Sequence, residues 1–422
     1  MLSRVLSIGI VVAMTGCGRG EPTAGTGAST AGTGAPTAGS PAPPPPTPAR
    51  IDWRGDLAVL ARELPRRHVD PFTRVAEADW RTEVAALDAA LPTLDDAQAQ
   101  AGLIRIVARL GDGHTRVEPR DGASFPLRLY DFADGMRVLG AKDAGLVGAT
   151  ITAIGTTSIA DARTALAAYI PHENAPWLRI GLAQALVSPM LLRGAGIIAD
   201  TTHATYRFTL TDGTARDVAL TPDTPPPITP PATLPLWLQK SRLAYWNTYE
   251  ATTQLLYFAF NQCVDSTPPF AEFVGSTMAF ADQHPVARFV VDLRHNGGGN
   301  SEIIEPLLAG LAARPALRGR LFAIVGRETF SSGLLDALYL HRAGAVLVGE
   351  PTGGSPSHHG EVKQFTLPSS GLTIDYSTKY FANPDVPGDT LAPDLAAPLD
   401  YAAWTAGRDP ALEAILAAPR PK

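Results

Sequence analysis

The chain has 422 residues, of which 45% are hydrophobic and 18% charged, and its formal net charge is −6. These values are ordinary for a globular protein with a buried core, and the length predicts two or three domains. The charges are spread without long basic runs, so we expect no nucleic acid among the partners.

Residues 1–17 have the pattern of an export signal. Arg4 precedes an apolar run that ends in the tetrapeptide MTGC at Cys17, and this run is too short to cross a membrane as a mature helix. The tetrapeptide resembles a bacterial lipobox, which implies that Cys17 is lipidated and becomes the mature first residue. A plain signal peptide or an uncleaved anchor is the alternative. We therefore expect an exported cell-envelope protein, periplasmic or on an outer face, that meets the membrane through a lipid anchor only, or alternatively a secreted protein.

Residues 18–49 are rich in Gly, Thr, Ala and Pro and contain almost no large apolar side chains. Such a segment cannot bury enough surface to offset its chain entropy. We predict that it is a disordered tether between the anchor and the folded protein.

Residues 50–120 predict a small helical domain. Apolar residues recur there at three- and four-residue spacing in three runs, and Asp95 and Asp96 are suitable N-terminal caps for the third. That run ends in the motif GDGHT. His114 therefore lies in a glycine-flanked turn, where a histidine is more often functional than on a helix.

Residues 121–223 predict a β-rich module with one helix. The piece ITAIGTTSIADARTALAAY resembles the strand, turn and helix of a PDZ-like module, although residues 172–199 interrupt the pattern. The proline-rich residues 224–236 then predict a linker.

In residues 237–422, apolar strand-like runs alternate with helical runs. The strands are continuously apolar, which predicts a sheet covered by helices on both faces. Ligand sites in such folds collect at the carboxyl ends of the strands, where RHNGGGN and RETFSS follow two consecutive strands. Cys263, the one cysteine besides Cys17, ends another strand-like run and is predicted to be a buried structural thiol.

The triple glycine of RHNGGGN, Gly297 to Gly299, allows three interpretations. It can be a plain tight turn, a phosphate cradle or an oxyanion hole, because glycine lets backbone N–H groups approach a ligand closely. Neither G-x-x-x-x-G-K-[ST] nor G-x-G-x-x-G fits these residues, so a phosphate site is the weaker interpretation.

Ser331 and Ser332 lie where a strand-like run gives way to a helical one. A serine in this place usually caps the helix. It can also be a nucleophile, exposed at the sheet edge beside the free N–H groups of the helix, although G-x-S-x-G is absent. A serine nucleophile needs a base, and His114 is the leading histidine. The adjacent His358 and His359 lack the third ligand of a zinc site, so we expect no metal and no cofactor.

The motifs GDGHT, VVDLRHNGGGN, GRETFSSG, VGEPTGGSP, LPSSGLTIDYST and APDL occur in the order and approximate spacing of the tail-specific (C-terminal processing) peptidase family. The chain resembles that family, which includes the tricorn core and the retinoid-binding-protein modules, over about residues 100–400. The resemblance implies an α/β fold in which a crotonase/ClpP-like ββα catalytic domain follows the small helical domain and the PDZ-like module. It also implies serine-type hydrolysis of peptide or protein substrates.

Matched to the family motifs, Ser331 is the nucleophile, and the N–H groups of Ser332 and of Gly297 or Gly298 form the oxyanion hole. One branch of the family uses a lysine base, but Ser355 takes its place here and Lys363 lies too far along the chain. The other branch uses a histidine that matches His114.

The resemblance therefore favours a Ser–His mechanism over Ser–Lys. For the acidic partner of His114 the motif around PD offers Asp389 or Asp394, and we favour Asp389. Asp112 is closer in sequence, but its position predicts that it points elsewhere.

Two alternatives from other classes stay open. The retinoid-binding-protein modules share the fold implied by the resemblance and bind ligands without proteolysis, so the chain can be a degenerate ligand- or peptide-binding module. It can also be a related hydrolase of non-peptide esters or amides.

Overall fold

The computed structural model describes residues 50–118 and 123–418. The predicted signal segment, the lipobox cysteine Cys17 and the tether lie outside the described residues. Within the described ranges, no helix has both the length and the apolar character needed to span a bilayer.

The described chain begins with a helical segment. Its elements are α1 (Trp53–Arg67), α2 (Glu77–Ala90), a 3₁₀ turn (Leu91–Thr93) and α3 (Asp96–Ala108), followed by the short strand β1 (Arg116–Glu118). Asp95 caps α3 because its side chain accepts from the Gln98 N–H at 2.9 Å while the Gln98 side chain accepts from the Asp95 N–H at 3.2 Å. This reciprocal pair is a capping box, which fixes where the helix starts.

The β-rich segment follows. Its elements are β2 (Leu127–Phe132), β3 (Gly135–Ala141), a 3₁₀ turn (Ala144–Leu146), β4 (Thr150–Ile154), β5 (Thr157–Ser158), α4 (Ile159–Ala167), α5 (Ala175–Ala185), α6 (Pro189–Gly194), β6 (Ala204–Thr209) and β7 (Ala215–Leu220). The last four strands form an antiparallel sheet in the order β5-β4-β6-β7, and β2 pairs with β3. Residues 172–199, which interrupt the sequence pattern, supply α5 and α6, and both pack on the core of this segment.

The remaining elements are α7 (Leu236–Gln239), β8 (Tyr245–Glu250), β9 (Leu255–Phe260), α8 (Phe270–Gln283), β10 (Arg288–Asp292), a 3₁₀ turn (Ser301–Ile304), α9 (Glu305–Ala312), α10 (Pro315–Arg318), β11 (Leu321–Val325), α11 (Ser332–Arg342), β12 (Val346–Gly349), β13 (His358–Thr366), β14 (Thr373–Phe381), β15 (Leu395–Ala396), α12 (Tyr401–Thr405) and α13 (Pro410–Ala417). Six of these strands form the main sheet, in the order β15-β12-β11-β10-β9-β8. All neighbours in it are parallel except β8, which runs antiparallel to β9.

Helices cover both faces of the main sheet, as its apolar strands predict. On one face, side chains such as Phe258 and Val291 pack against α8, α9 and α11. On the other face, Tyr257 and Val290 pack against α13 through Ile415. Because β10 and β11 are parallel and adjacent, the loops that follow them meet at the same edge of the sheet.

The hairpin of β13 and β14 leaves the main sheet and joins the N-terminal segment. Strand β1 pairs antiparallel with β14, with Arg116 opposite Asp375. The same hairpin contributes Leu367 and Ile374 to the hydrophobic core of α1, α2 and α3. This pairing joins the segment that carries the GDGHT turn to the C-terminal half of the chain. The domain boundaries inferred from the sequence stay a prediction.

Candidate active site

Ser331 lies at a sharp turn between β11 and α11. Its backbone has φ 51° and ψ −127°, and its side chain makes no capping hydrogen bond to the helix. The capping interpretation of this serine is therefore wrong. A non-glycine residue in this sparsely populated conformation costs about 1–3 kcal/mol, and such positions cluster at functional sites. The turn has the strained geometry of a nucleophile elbow without the G-x-S-x-G sequence.

Buried hydrogen bonds hold this turn in place. The Phe330 N–H donates to the Asn296 carbonyl at 3.0 Å. The Thr329 hydroxyl donates to the Leu293 carbonyl at 2.8 Å and accepts from the Gly326 N–H at 3.0 Å. The loops after β10 and β11 therefore brace each other, which offsets the strain at Ser331.

The triple-glycine turn lies directly against Ser331. Gly298 has φ +111°, and a Cβ atom placed on it would lie 2.7 Å from Ser331 Cβ and 3.0 Å from Ser332 N. Glycine is required here because any side chain would collide with the candidate nucleophile. The absence of a side chain at Gly298 therefore lets a reacting group come close to Ser331.

The structure corrects one of the predicted oxyanion donors. The Gly298 N–H donates to Asn296 Oδ1 at 3.0 Å and so cannot serve an oxyanion at the same time. Among the described residues, the N–H groups of Gly297 and Ser332 have no hydrogen-bond partner. These two are therefore the donors open to an oxyanion.

A buried polar network supports the turn from behind. Cys263 Sγ lies 3.2 Å from Asn296 Oδ1 and 3.0 Å from Asp336 Oδ2. Burial raises the pKa of Asp336 to about 8, so this carboxyl is protonated at neutral pH. Cys263 is fully buried, which confirms the prediction of a structural thiol.

The His114 ring packs against the residue that precedes the candidate nucleophile. It stacks on Phe330, the residue before Ser331, with ring centroids 4.4 Å apart. Burial lowers the pKa of His114 to about 3, against the opposing charge of Asp112, so the imidazole is neutral and able to accept a proton. Within the described part of the chain, neither ring nitrogen has a hydrogen-bond partner.

Asp112 anchors the turn that carries His114. Its Oδ2 receives hydrogen bonds from Ser377 at 2.7 Å and Thr115 at 2.5 Å and lies 3.0 Å from His68 Nε2. Its Oδ1 accepts from the His114 N–H at 2.9 Å and lies 3.8 Å from His114 Nδ1. Burial acts to raise the pKa of Asp112, but these hydrogen bonds and the neighbouring imidazole more than offset it and hold the pKa well below its usual range. Asp112 is thus the ionised carboxylate beside His114.

Glu173 is a site residue that the sequence analysis missed. Its carboxylate lies in one cluster with Asp112 and His114, and it is buried. Burial, and then the charge of Asp112, raises the pKa of Glu173 to about 8, so it is neutral at pH 7. The signal available in the sequence was the pair Glu173-Asn174 inside the segment that interrupts the β-rich pattern.

Asn174 shows how Glu173 is held at the site. The Asn174 side-chain amide donates to the carbonyls of Gly353 at 2.9 Å and Asp389 at 2.7 Å. Its side-chain oxygen accepts from the Trp177 N–H at 2.9 Å, which starts α5. The residue after Glu173 therefore ties α5 to the loops of the main sheet.

The prediction that Asp389 is the acidic partner of His114 is wrong. Its side chain is exposed, and only its backbone carbonyl reaches the site, where it accepts from Asn174 and from the Ser355 hydroxyl. Asp394 accepts from the Leu347 N–H at 2.8 Å and also lies away from His114. The carboxylates that surround His114 come instead from Asp112 and Glu173.

The lysines that the structure describes lie elsewhere. Ser355, which takes the place of the family's lysine, is buried and donates to the Asp389 carbonyl at 2.7 Å. Lys363 is exposed on β13. Lys142 pairs with Asp223, and Lys240 and Lys379 lie over aromatic rings.

Comparison with known proteins identifies the fold. No family model matches the chain, and no curated protein matches it. The structure of mature CPAF complexed with lactacystin is 13% identical and has a TM-score of 0.61, covering 86% of this chain and 96% of that one. Mature CPAF alone is 12% identical and has a TM-score of 0.59, covering 86% of this chain and 95% of that one. The photosystem II D1 C-terminal processing protease is 16% identical, with a TM-score of 0.42 and coverage of 88% and 100%.

CPAF belongs to the tail-specific protease family. At this identity the likeness concerns the fold alone. The prediction of an α/β fold like that of the tail-specific peptidases is therefore confirmed at the level of a mixed α/β fold shared with CPAF.

Proposed function

We propose that the protein is a serine-type peptidase that forms an acyl-enzyme at Ser331. The observation that carries the proposal is the conformation of this serine, with φ 51° and no capping bond at the start of α11. A fold keeps such strain where the side chain has a task that an ordinary rotamer and backbone cannot perform. The fold shared with CPAF is consistent with this function.

The residues around Ser331 support each step of acyl transfer. His114, kept neutral by burial, takes the hydroxyl proton as the oxygen attacks the scissile carbonyl. The N–H groups of Gly297 and Ser332 stabilise the oxyanion, a contribution of about 3 kcal/mol per donor in comparable sites. His114 then protonates the leaving amine, and the ionised Asp112 stabilises the imidazolium in between.

The proposal includes the finer division of the fold. Residues 237–422 form the crotonase/ClpP-like catalytic domain, and residues 121–223 form the PDZ-like module. The six-stranded sheet and the separate sheet β5-β4-β6-β7 support this division. An experimental structure that lacks the second sheet would contradict the assignment.

A fluorophosphonate probe tests the nucleophile directly, because it phosphonylates an activated serine hydroxyl. We expect the full-length protein to be labelled and Ser331→Ala to be unlabelled. Ser332→Ala is the matched control, since it removes the neighbouring hydroxyl, which donates to the Gly299 carbonyl at 2.7 Å, and keeps the backbone N–H. Ser332→Ala should still be labelled.

The same probe separates the competing functions. A folded protein that is not labelled at all would refute the peptidase and favour a ligand- or peptide-binding module. A labelled protein that cleaves ester and amide libraries but no peptide library would favour a non-peptide hydrolase.

We also propose that the protein is exported and anchored through Cys17. The support is the signal-like and lipobox-like sequence of residues 1–17 followed by the tether-like composition of residues 18–49. In the native host, Cys17→Ala should move the protein from the membrane fraction to the soluble fraction, because it removes the acylated thiol.

Ser29→Ala, a substitution within the tether, is the control for Cys17→Ala and should stay in the membrane fraction. A Cys17→Ala protein that stays with the membrane would show that another element anchors it.

A further inference from the structure

Three potential metal ligands converge at the His114 ring, which stacks on Phe330, the residue before the candidate nucleophile. Ligand atoms of Asp112, His114 and Glu173 all lie within 4.8 Å of one another. Their exposed fractions are 3%, 5% and 6%, so each side chain is more than nine-tenths buried. The three residues come from two segments that are distant in sequence, the turn after α3 and the start of α5.

This cluster has unused bonding capacity. Within the described ranges, both ring nitrogens of His114 and Glu173 Oε2 are buried without a hydrogen-bond partner. Buried polar atoms are nearly always paired, so unpaired ones call for a ligand. The imidazole lone pair, the ionised Asp112 and the Glu173 carboxyl, which releases its proton when an ion binds, are a suitable set of donors for a divalent cation.

We propose that the cluster of Asp112, His114 and Glu173 binds Zn²⁺ or a similar first-row divalent ion, which inhibits the protein reversibly. Three protein ligands with nitrogen and oxygen donors, and a fourth position left to water, suit Zn²⁺. Mg²⁺ and Ca²⁺ prefer all-oxygen ligand sets and are excluded by the imidazole. The ion takes the lone pair with which His114 would accept the Ser331 proton, so it is an inhibitor and not a cofactor. The inhibition, unlike the binding, rests on the function proposed above.

The surroundings hold the ligands in place before any ion arrives. Asp112 is oriented by His68, Thr115 and Ser377 through its Oδ2 atom. The backbone at Glu173 is held by its neighbour Asn174, whose side-chain amide donates to the carbonyls of Gly353 and Asp389. Outer-shell contacts of this kind orient metal ligands and raise affinity.

Calorimetric titration of the full-length protein, without an added histidine tag, tests the site with Zn²⁺ itself. We expect one ion per chain. Glu173→Gln should bind it at least about tenfold more weakly, because the loss of a metal ligand lowers the affinity by no less than the loss of an outer-shell partner does. Glu272→Gln, at an exposed position on α8, is the matched control and should bind like the wild type.

Ser331→Ala allows Zn²⁺ binding to be measured in a protein that has no catalytic activity. Its affinity for Zn²⁺ should equal that of the wild type, because Ser331 is not a ligand. In the wild type, Zn²⁺ should also slow fluorophosphonate labelling with a midpoint equal to its dissociation constant.

The outcomes separate this inference from the proposed function. Binding that Glu173→Gln weakens, in a protein that the probe never labels, would keep the metal site and refute the peptidase. Strong labelling without saturable Zn²⁺ binding, or with equal affinity in Glu173→Gln, would overturn the metal site alone. If Glu173→Gln fails to fold by near-UV circular dichroism, His114→Ala takes its place and should likewise bind Zn²⁺ at least about tenfold more weakly.

Discussion

Ser331→Gly is expected to withstand more urea than Ser331→Ala, although neither variant can form an acyl-enzyme. Both lose the hydroxyl, but alanine keeps the Cβ atom in a backbone with φ 51° and ψ −127°. Glycine adopts this conformation without the strain of about 1–3 kcal/mol. The greater entropy of its unfolded chain, however, lowers the free energy of unfolding by about 0.5–1 kcal/mol. We therefore expect glycine to be the more stable variant by about 1 kcal/mol, measured from urea unfolding curves, while loss of a serine nucleophile lowers turnover by a factor on the order of 10⁶.

The same pair of substitutions at an ordinary helical position is the control. Ser276 is exposed within α8, where alanine should be more stable than glycine by about 1 kcal/mol. The order of stability should thus reverse between the two positions. If alanine is the more stable residue at position 331 as well, the elbow is not strained and the main support for the proposed function is lost.

The arrangement of the main sheet could be predicted from the sequence because it depends on local patterns. Continuously apolar strands separated by amphipathic helices specify a parallel sheet with two covered faces, and β9 to β12 form it. Parallel neighbours bring the loops after β10 and β11 to one edge. The proximity of the triple glycine to Ser331 follows from this topology alone.

The packing of His114 against Phe330, the residue before Ser331, could be predicted only from the family resemblance. More than two hundred residues separate the two, and nothing in the helical pattern before GDGHT specifies where the turn docks. The structure shows that the pairing of β1 with β14 makes this connection, since Ser377 on β14 also donates to Asp112.

The acidic residues could not be predicted from motif spacing. Asp389 matches the expected motif, but its side chain turns to solvent and only its carbonyl faces the site. Glu173 lies in the segment that breaks the β-rich pattern, so no periodicity marked it. Such long-range contacts between irregular segments leave little local trace in a single sequence. The hydrogen bond from the Gly298 N–H to Asn296 Oδ1 likewise depends on the rotamer of Asn296, which the sequence pattern does not specify.

His114→Ala is expected to abolish fluorophosphonate labelling, while Lys363→Ala keeps most of it. The described lysines have other surroundings: Lys142 pairs with Asp223, Lys240 and Lys379 lie over aromatic rings, and Lys363 is exposed on β13. We therefore expect no lysine to replace the imidazole as the base. The loss should exceed the factor of about 10²–10⁴ that general base catalysis alone contributes, because the base also activates the nucleophile. Labelling rates measured with a chelator present, so that no metal ion competes for His114, check this result.

The pH dependence of labelling gives an independent test of the same residue. A base acts only when unprotonated, so the rate should fall as the pH drops through the pKa of His114. Burial lowers that pKa to about 3, so the acid limb should lie well below the ordinary histidine value of about 6.5. Full labelling of His114→Ala, together with loss of labelling in Lys363→Ala, would replace the Ser–His mechanism by Ser–Lys. An acid limb at or above pH 6.5 would instead show that water or the charge of Asp112 stabilises the imidazolium in the working protein by at least as much as burial penalises it.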